Sequence, residues 1–206
     1  IDRRVKDAFL LLLEQEIQSM VGENALDCDS YVHMVNEKHF RRVCGLIDPD
    51  KVIFGGQADE RTLRIQPTIM DHVTADDAVM QEEIFGPLLP VIAYDSIDEA
   101  LAFVNSREHP LALYLFSENR ALQKRVLASV PFGGGCINDT IVHLATSRMG
   151  FGGVGGSGMG SYHGRVGFET FSHYRSIVDK KTWMDLPIRY QKYTGLKEKM
   201  MRMFLK

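Results

Sequence analysis

Apolar strands and amphipathic helices alternate between residues 87 and 139, and this alternation restricts the fold more than any other feature. Residues 96–99 (Ser-Ile-Asp-Glu) have the pattern of a capping box that opens one helix, and residues 122–130 carry the apolar stripe of another. The runs typical of buried strands are residues 88–94, 111–116 and 136–138. Because crossover helices join parallel strands, this order predicts an α/β fold with a parallel-type sheet and crossover helices.

The N-terminal part of the chain predicts two more helices and two more strands. Apolar residues recur at helical spacing over residues 2–22 and over residues 36–47. Residues 52–54 predict a short strand that ends at two glycines. Residues 63–69 predict an edge strand or a bulged strand, because Pro67 cannot donate a hydrogen bond to a ladder.

Composition narrows the class of protein. The chain has 206 residues and a formal net charge of −3, enough length for one large domain or two small ones. Charges of both signs are mixed, so we expect no nucleic-acid partner. No apolar run approaches the roughly 20 residues that span a membrane. Three widely spaced cysteines indicate a reducing, cytoplasmic setting and neither a disulfide framework nor a metal site.

Residues 150–164 contain eight glycines. Two overlapping G-x-G-x-x-G matches occur there, one of them over Gly153–Gly158, and they raise the alternative of a Rossmann-type dinucleotide-binding loop. Such a loop directly follows a buried strand, whereas the polar residues 145–149 precede this stretch. We therefore favour a loop whose glycines supply positive φ angles and close backbone packing.

Two segments carry a resemblance to a known family. Residues 82–87 (Glu-Glu-Ile-Phe-Gly-Pro), followed by an apolar strand, resemble the Glu-x-Phe-Gly-Pro signature of aldehyde dehydrogenases. Residues 151–160 resemble the second C-terminal signature of that family. Residues 138–143, 161–164 and 168–173 are most similar to its class 3, fatty- and aromatic-aldehyde branch. The resemblance implies that residues 1–181 are a C-terminal portion of the catalytic domain and residues 182–206 a tail.

Family membership implies a mechanism and a cofactor. In aldehyde dehydrogenases a cysteine thiolate attacks the aldehyde, hydride passes to NAD or NADP, and a glutamate-activated water releases the carboxylic acid. The cysteine lies in a Gly-Gln-x-Cys segment, which this sequence lacks. The resemblance implies that the cysteine and the glutamate base lie upstream of Ile1. We therefore expect no catalytic residue in this chain, including its own three cysteines, and no activity of the chain alone.

The resemblance also implies cofactor-binding residues. Glu83 is expected to accept hydrogen bonds from the hydroxyls of the nicotinamide ribose, and Phe85 to lie beside the nicotinamide ring. If the resemblance is left aside, we would interpret Glu83 as a solvated carboxylate in a turn and Phe85 as a core ring. For Glu82 we favour a surface or structural charge over a cofactor-binding role.

A second set of residues is expected near the substrate, a small aldehyde. The resemblance implies that Phe151 packs near the reaction centre and excludes water. Asn138, Tyr162 and His163 are expected to contact the substrate or to order the neighbouring loop. For His163, a structural hydrogen-bonding role is an equal alternative. No metal-binding residues are expected.

The C-terminal part of the chain suggests an oligomer. Residues 174–178 resemble the family strand that joins a sheet across subunits, so an oligomerisation strand near residues 174–181 and a homodimer are implied. The alternative is an ordinary edge strand. Residues 196–205 form a basic amphipathic segment, for which packing on the protein or a partner subunit is favoured over membrane association. The alternative function is a non-catalytic dimerisation or scaffold module derived from the family.

Overall fold

The computed structural model describes residues 1–190, 192 and 194–205. The helices are α1 (Arg3–Val21), α2 (Glu37–Cys44), α3 (Ile97–Asn105), α4 (Arg120–Ser129), α5 (Gly164–Thr170) and α6 (Gly195–Phe204). The strands are β1 (Val52–Phe54), β2 (Ala58–Asp59), β3 (Arg64–Ile65), β4 (Thr68–Met70), β5 (Leu88–Pro90), β6 (Ala112–Leu115) and β7 (Gly134–Ile137). The α/β class predicted from the sequence is confirmed.

The strands form three small sheets. In the first, β4 lies between β1, which is antiparallel to it, and β5, which is parallel to it. The second is the antiparallel pair β2–β3. In the third, β6 and β7 are parallel and α4 is the crossover between them, as the alternation predicts.

The three strands of residues 87–139 do not share one sheet. Among the described residues, β5 pairs with β4 alone, whereas β6 and β7 form a separate parallel pair. The backbone of β4 occupies the hydrogen-bonding edge of β5, since Thr68 N donates to Pro87 O and Val91 N donates to Met70 O. The apolar run 88–94 is paired over three residues only and ends at Pro90, which has no N–H to continue the ladder.

Helix starts follow the capping residues that the sequence indicates. The side chain of Asp2 accepts from the backbone N–H of Arg4 at the start of α1, which ends at Gly22. Ser96 Oγ accepts from Glu99 N at 3.3 Å at the start of α3. The carboxylate of Glu99 accepts from Asp95 N at 2.9 Å, one residue before the position expected for a capping box.

The apolar core has three parts, one of which (Leu10, Ile69 and Val91) packs α1 on the first sheet. The other two support the candidate site. One lies where α2 packs on β3, β4 and β5, and its buried side chains are Phe40, Val43, Leu46, Ile65, Met70, Val73, Val79 and Leu88. The other is Leu101 of α3 with Val126 and Val130 at α4, against which Leu113 and Leu115 of β6 pack. These two parts fix the loop at residues 81–87 and the β6–β7 sheet, which carry the candidate site residues.

The side chains of the C-terminal part, from residue 174 onward, are mostly exposed among the described residues. Tyr174–Val178 makes no ladder pairing with the other described residues, so the oligomerisation strand stays a prediction that concerns a partner chain. The amphipathic segment at residues 196–205 is the helix α6 and its last neighbour Leu205. None of the described helices has the length and apolar character needed to cross a membrane.

Candidate functional site

The loop at residues 81–87 is held by one arginine of α2. Arg42 forms an ion pair with the carboxylate of Glu82 at 3.1 Å. The same guanidinium donates to Ile84 O at 2.6 Å and to Glu83 O at 3.4 Å. Glu82 therefore has the structural role expected for it, and the backbone of the loop is fixed on both sides of Glu83.

Glu83 differs from its neighbour in having no partner. Its side chain is exposed, and no described residue forms a hydrogen bond or an ion pair with its carboxylate. A carboxylate can accept hydrogen bonds from two adjacent hydroxyls at once. Glu83 is thus a fixed acceptor that the protein itself does not use.

Phe85 projects from a tight turn. Its φ is +46°, and 72% of its surface is exposed. The interpretation of Phe85 as a core ring is therefore wrong. Gly86 explains the turn, because a Cβ at this position would lie 2.7 Å from Val43 Cγ1 of α2. The loop packs directly on the core at Gly86, and the preceding ring faces outward.

An apolar hollow of about 670 Å³ adjoins Phe85. Its lining residues are Tyr31, Val32, His33, Met34, Val35, His39, Ile65, Phe85, Gly86 and Pro87. Tyr31 fixes one wall by donating to Ile65 O at 2.7 Å, and burial raises the pKa of Tyr31 to about 12, which keeps this donor protonated. Sequence reasoning missed the wall at residues 31–35. The available signal was an apolar run that fits neither helical nor strand spacing.

Three of the four residues predicted near the substrate lie together. Phe151 and Tyr162 form an antiparallel bridge, with N···O distances of 2.9 and 3.0 Å. The ring of His163 stacks on Phe151, with centroids 6.0 Å apart, and meets the edge of Tyr162 at 4.3 Å. We call Phe151, Tyr162 and His163 the aromatic cluster.

The glycine-rich loop brings this cluster together. A Cβ on Gly152 would lie 2.0 Å from Gly160 O, and one on Gly153 would lie 2.2 Å from Ser157 O. Close backbone packing therefore requires these glycines, as expected. The Rossmann alternative over Gly153–Gly158 is wrong, because the motif contains only the three-residue 3₁₀ turn Gly155–Ser157 and the next helix, α5, begins as late as Gly164.

Asn138 lies at the end of β7 with φ +57°. Its side-chain oxygen accepts from Ser117 N at 2.7 Å, and its amide nitrogen donates to Ser117 O at 3.2 Å. Asn138 therefore joins the ends of β6 and β7 and orders the chain there. Contact with the substrate stays a prediction for this residue.

His143 is the residue whose position sequence reasoning missed. The fold buries it to 8% exposure between the rings of Tyr114 and Phe151. Its Nδ1 lies 3.6 Å from Cys136 Sγ, and its Nε2 has no hydrogen-bond partner. No sequence pattern predicts this contact, because Cys136 lies in the strand β7 and His143 lies in a separate 3₁₀ turn.

The two groups of candidate residues remain separate. No hydrogen bond or aromatic contact among the described residues joins the loop at 81–87 to the aromatic cluster. Within the same residues, no three His, Cys, Asp or Glu side chains are grouped as a metal ion requires. The three cysteines are free.

Comparison with solved structures defines the class of fold. The substrate-bound state of Staphylococcus aureus AldH superposes with a TM-score of 0.89 at 44% identity, covering 100% of this chain and 45% of that chain. Apo betaine aldehyde dehydrogenase from S. aureus superposes with a TM-score of 0.77 at 21% identity, covering 93% of this chain and 40% of that one. The second match shows the fold alone. The architecture is that of an aldehyde dehydrogenase.

The sequence comparisons define the family. The model of the aldehyde dehydrogenase family matches residues 1–177, and the chain belongs to this family. It is 44% identical over its whole length to 4,4'-diaponeurosporen-aldehyde dehydrogenase of S. aureus, covering 45% of that protein. It is 45% identical to the dimeric NADP-preferring aldehyde dehydrogenase of Rattus norvegicus, covering 87% of this chain and 40% of that protein. The chain thus spans less than half the length of these relatives.

Proposed function

We propose that this chain is part of an enzyme that oxidises an aldehyde to a carboxylic acid, with NAD or NADP as hydride acceptor. Family membership supports the reaction class, and a relative named as NADP-preferring supports the cofactor class. One observation carries the proposal. Arg42 fixes the loop at residues 81–87 and pairs with Glu82, while the carboxylate of Glu83 has no partner among the described residues.

The residues of this loop fit a nicotinamide dinucleotide. Glu83 can accept from both hydroxyls of the ribose, because its two oxygens are unused. Phe85 offers an exposed apolar ring at the edge of the hollow, where it limits the positions of a planar ring and keeps water away. The bound dinucleotide supplies the hydride acceptor, and the protein supplies binding and orientation.

The aromatic cluster suits an aldehyde-binding wall. Phe151, Tyr162 and His163 offer ring surface with few polar atoms, and such a surface excludes water from a reacting carbonyl. Asn138 supports this wall from the end of β7 by ordering the chain that leads to His143.

The chain supplies no catalytic nucleophile in this proposal. Burial raises the pKa of the Cys44 thiol, so a thiolate is disfavoured there. Cys28 is partly buried beside Ser30, and neither residue belongs to a predicted site. A cysteine nucleophile and a glutamate base supplied by residues outside these 206 complete the reaction.

We infer a cytoplasmic homodimer as the working form. Tyr174, Ile177 and Val178 are exposed apolar side chains on a segment without a ladder partner among the described residues, which supports strand pairing between two copies. The apolar side chains of α6 pack on the partner subunit. Three free cysteines support a reducing compartment.

The test uses the protein encoded by the whole reading frame that contains this chain. We expect it to form NADH or NADPH when given an aldehyde, and the 206-residue chain to form neither. Reduced nicotinamide formed by the purified chain would overturn the assignment of the nucleophile. A folded whole protein that oxidises no aldehyde in a broad series would instead favour the scaffold module.

A further inference from the structure

Cys136 and His143 form a contact for which the proposed reaction has no use. Cys136 Sγ lies 3.6 Å from His143 Nδ1, within reach of a hydrogen bond that involves sulfur. His143 is nine-tenths buried, and its other ring nitrogen has no hydrogen-bond partner. The imidazole is therefore directed at the thiol and is engaged by no other polar group of the described chain.

The fold makes room for this contact. Cys136 is the register partner of Tyr114 in the parallel β6–β7 ladder, and the Tyr114 ring meets His143 edge-on at 5.8 Å. Gly134 lies two positions before Cys136 on the same face of β7. A Cβ at Gly134 would lie 3.1 Å from His143 Cδ2, so a larger residue would press on the ring.

The backbone that carries His143 is strained. Asn138 and Ile141 have φ values of +57° and +62°. A positive φ is unusual for a β-branched residue such as Ile141, and such strain persists only where the surroundings enforce it. The strained segment begins at the Asn138–Ser117 hydrogen bonds and ends at the 3₁₀ turn Val142–Leu144, which contains His143.

The other two cysteines lack such a partner. Cys44 contacts the apolar core at α2. Cys28 shares a hydrogen bond with Ser30 at 3.3 Å, and this bond lowers the pKa of its thiol, but no imidazole adjoins it. Cys136 is only partly buried. Of the three thiols, Cys136 alone has a group placed to take up its proton and return it.

We propose that Cys136 is a site of covalent modification by small α,β-unsaturated aldehydes, with His143 as the proton carrier. The thiol proton moves to His143 Nδ1 while Sγ bonds to the β-carbon of the aldehyde. The π electrons of the carbon–carbon double bond shift to form an enolate, and the imidazolium returns the proton to the α-carbon. The product is a saturated thioether aldehyde, and no oxidant or leaving group is needed.

The surroundings favour this class of electrophile. The rings of Tyr114, His143 and Phe151 form an apolar environment that suits a conjugated carbon chain. The modification needs neither a dinucleotide nor residues outside this chain. The proposal can therefore be tested independently of the proposed oxidation.

The experiment treats the protein encoded by the whole reading frame with crotonaldehyde, fixes the adducts with borohydride and maps them to individual cysteines by mass spectrometry. Glutathione in the same tube serves as the reference thiol. We expect Cys136 in the folded chain to react about tenfold faster, relative to glutathione, than Cys136 in urea, because a positioned base accelerates proton transfer. Butanal, which has no conjugated double bond, should leave no thioether.

A variant tests the role of the imidazole. We expect His143→Phe, which keeps a ring but has no nitrogen, to slow modification of Cys136 about tenfold and to leave Cys28 unchanged. An unchanged rate at Cys136 in the folded variant would overturn the proposal. If the variant fails to fold, the comparison of folded and urea-treated native chain decides alone, and equal rates there would equally overturn it.

Discussion

Glu82 and Glu83 are adjacent in sequence and opposite in environment. Arg42 neutralises the first and also binds the backbone carbonyls around the second, so the ion pair positions a carboxylate that it does not engage. An exposed ion pair of this kind contributes about 1 kcal/mol or less to stability. Its value lies in the geometry that it gives the loop.

Gly86 makes a residue-scale prediction about the same loop. A methyl group there would lie 2.7 Å from Val43 Cγ1, which is fully buried. We expect Gly86→Ala to lower the free energy of unfolding by about 1–3 kcal/mol, as overpacking does in well-packed cores. Urea denaturation followed by circular dichroism measures the change.

Gly45→Ala is the matched control. Gly45 has φ −68° and its added Cβ would make only ordinary contacts of 3.4 Å. We expect this variant to be neutral or more stable by up to about 1 kcal/mol, because alanine restricts the unfolded chain. Equal destabilisation by both substitutions would contradict the packing assigned to Gly86.

At the scale of elements, one buried ion pair connects α1 to the end of β4. Lys6 Nζ lies 2.5 Å from Asp71 Oδ2, and both side chains are buried. We expect Lys6→Met to cost about 3–5 kcal/mol, because it removes the ammonium partner of a buried carboxylate and leaves only His72 beside it. The double variant Lys6→Met/Asp71→Asn should recover most of this loss in a double-mutant cycle. Additive losses would show that the pair is not coupled.

The same pair predicts a dependence of stability on pH. Burial raises the pKa of Asp71, but hydrogen bonds from Lys6 and from the backbone N–H of His72 outweigh it and hold that pKa below its ordinary value. The stabilisation is therefore complete above the unfolded pKa of about 3.9 and is lost as pH falls through the lowered folded value. We expect Asp71→Asn to remove this component from unfolding curves measured below about pH 4. A variant with the same acid sensitivity as the parent would contradict it.

Elements that depend on local signals were predictable from the sequence. Capping residues such as Asp2 and Ser96 mark helix starts through hydrogen bonds to nearby residues, so their effect is visible in a short window. The run at residues 63–69, predicted as one edge or bulged strand, is instead divided at Pro67 into β3 and β4, and β4 is the central strand of its sheet. The pairing of β5 with β4 was not predictable in this way, because it depends on which distant backbone edge is available.

The candidate site likewise has features that local sequence predicts and features that only the fold reveals. Glu83, Phe85 and the aromatic cluster were named from motifs, which are local strings of sequence. The hollow beside Phe85 and the Cys136–His143 contact were not, because each brings together side chains from separate elements. No spacing rule connects a strand residue with a histidine on a turn that follows a strained loop.

At the scale of the whole molecule, the C-terminal segment predicts how two copies associate. Ile177 is 77% exposed and lies on the segment without a ladder partner among the described residues. In the protein from the whole reading frame, we expect Ile177→Lys to raise the dimer dissociation constant at least about tenfold, because a charge buried without a partner costs several kcal/mol. Sedimentation velocity measures the change.

Val35→Lys serves as the control, because Val35 is 78% exposed but lies outside that segment. It should leave the oligomeric state unchanged. A dimer that survives Ile177→Lys, or dissociates equally in both variants, would contradict pairing through residues 174–178.

The most direct test of the account compares two glutamates in the protein encoded by the whole reading frame. Steady-state kinetics should show that Glu83→Gln raises KM for NAD or NADP about tenfold or more, since hydrogen bonds to a charged acceptor contribute about 1.5–3 kcal/mol. Its KM for the aldehyde should stay the same, and Glu82→Gln should change both KM values little. A Glu83→Gln enzyme with the parent's KM for the dinucleotide would contradict the claim that this loop holds the cofactor.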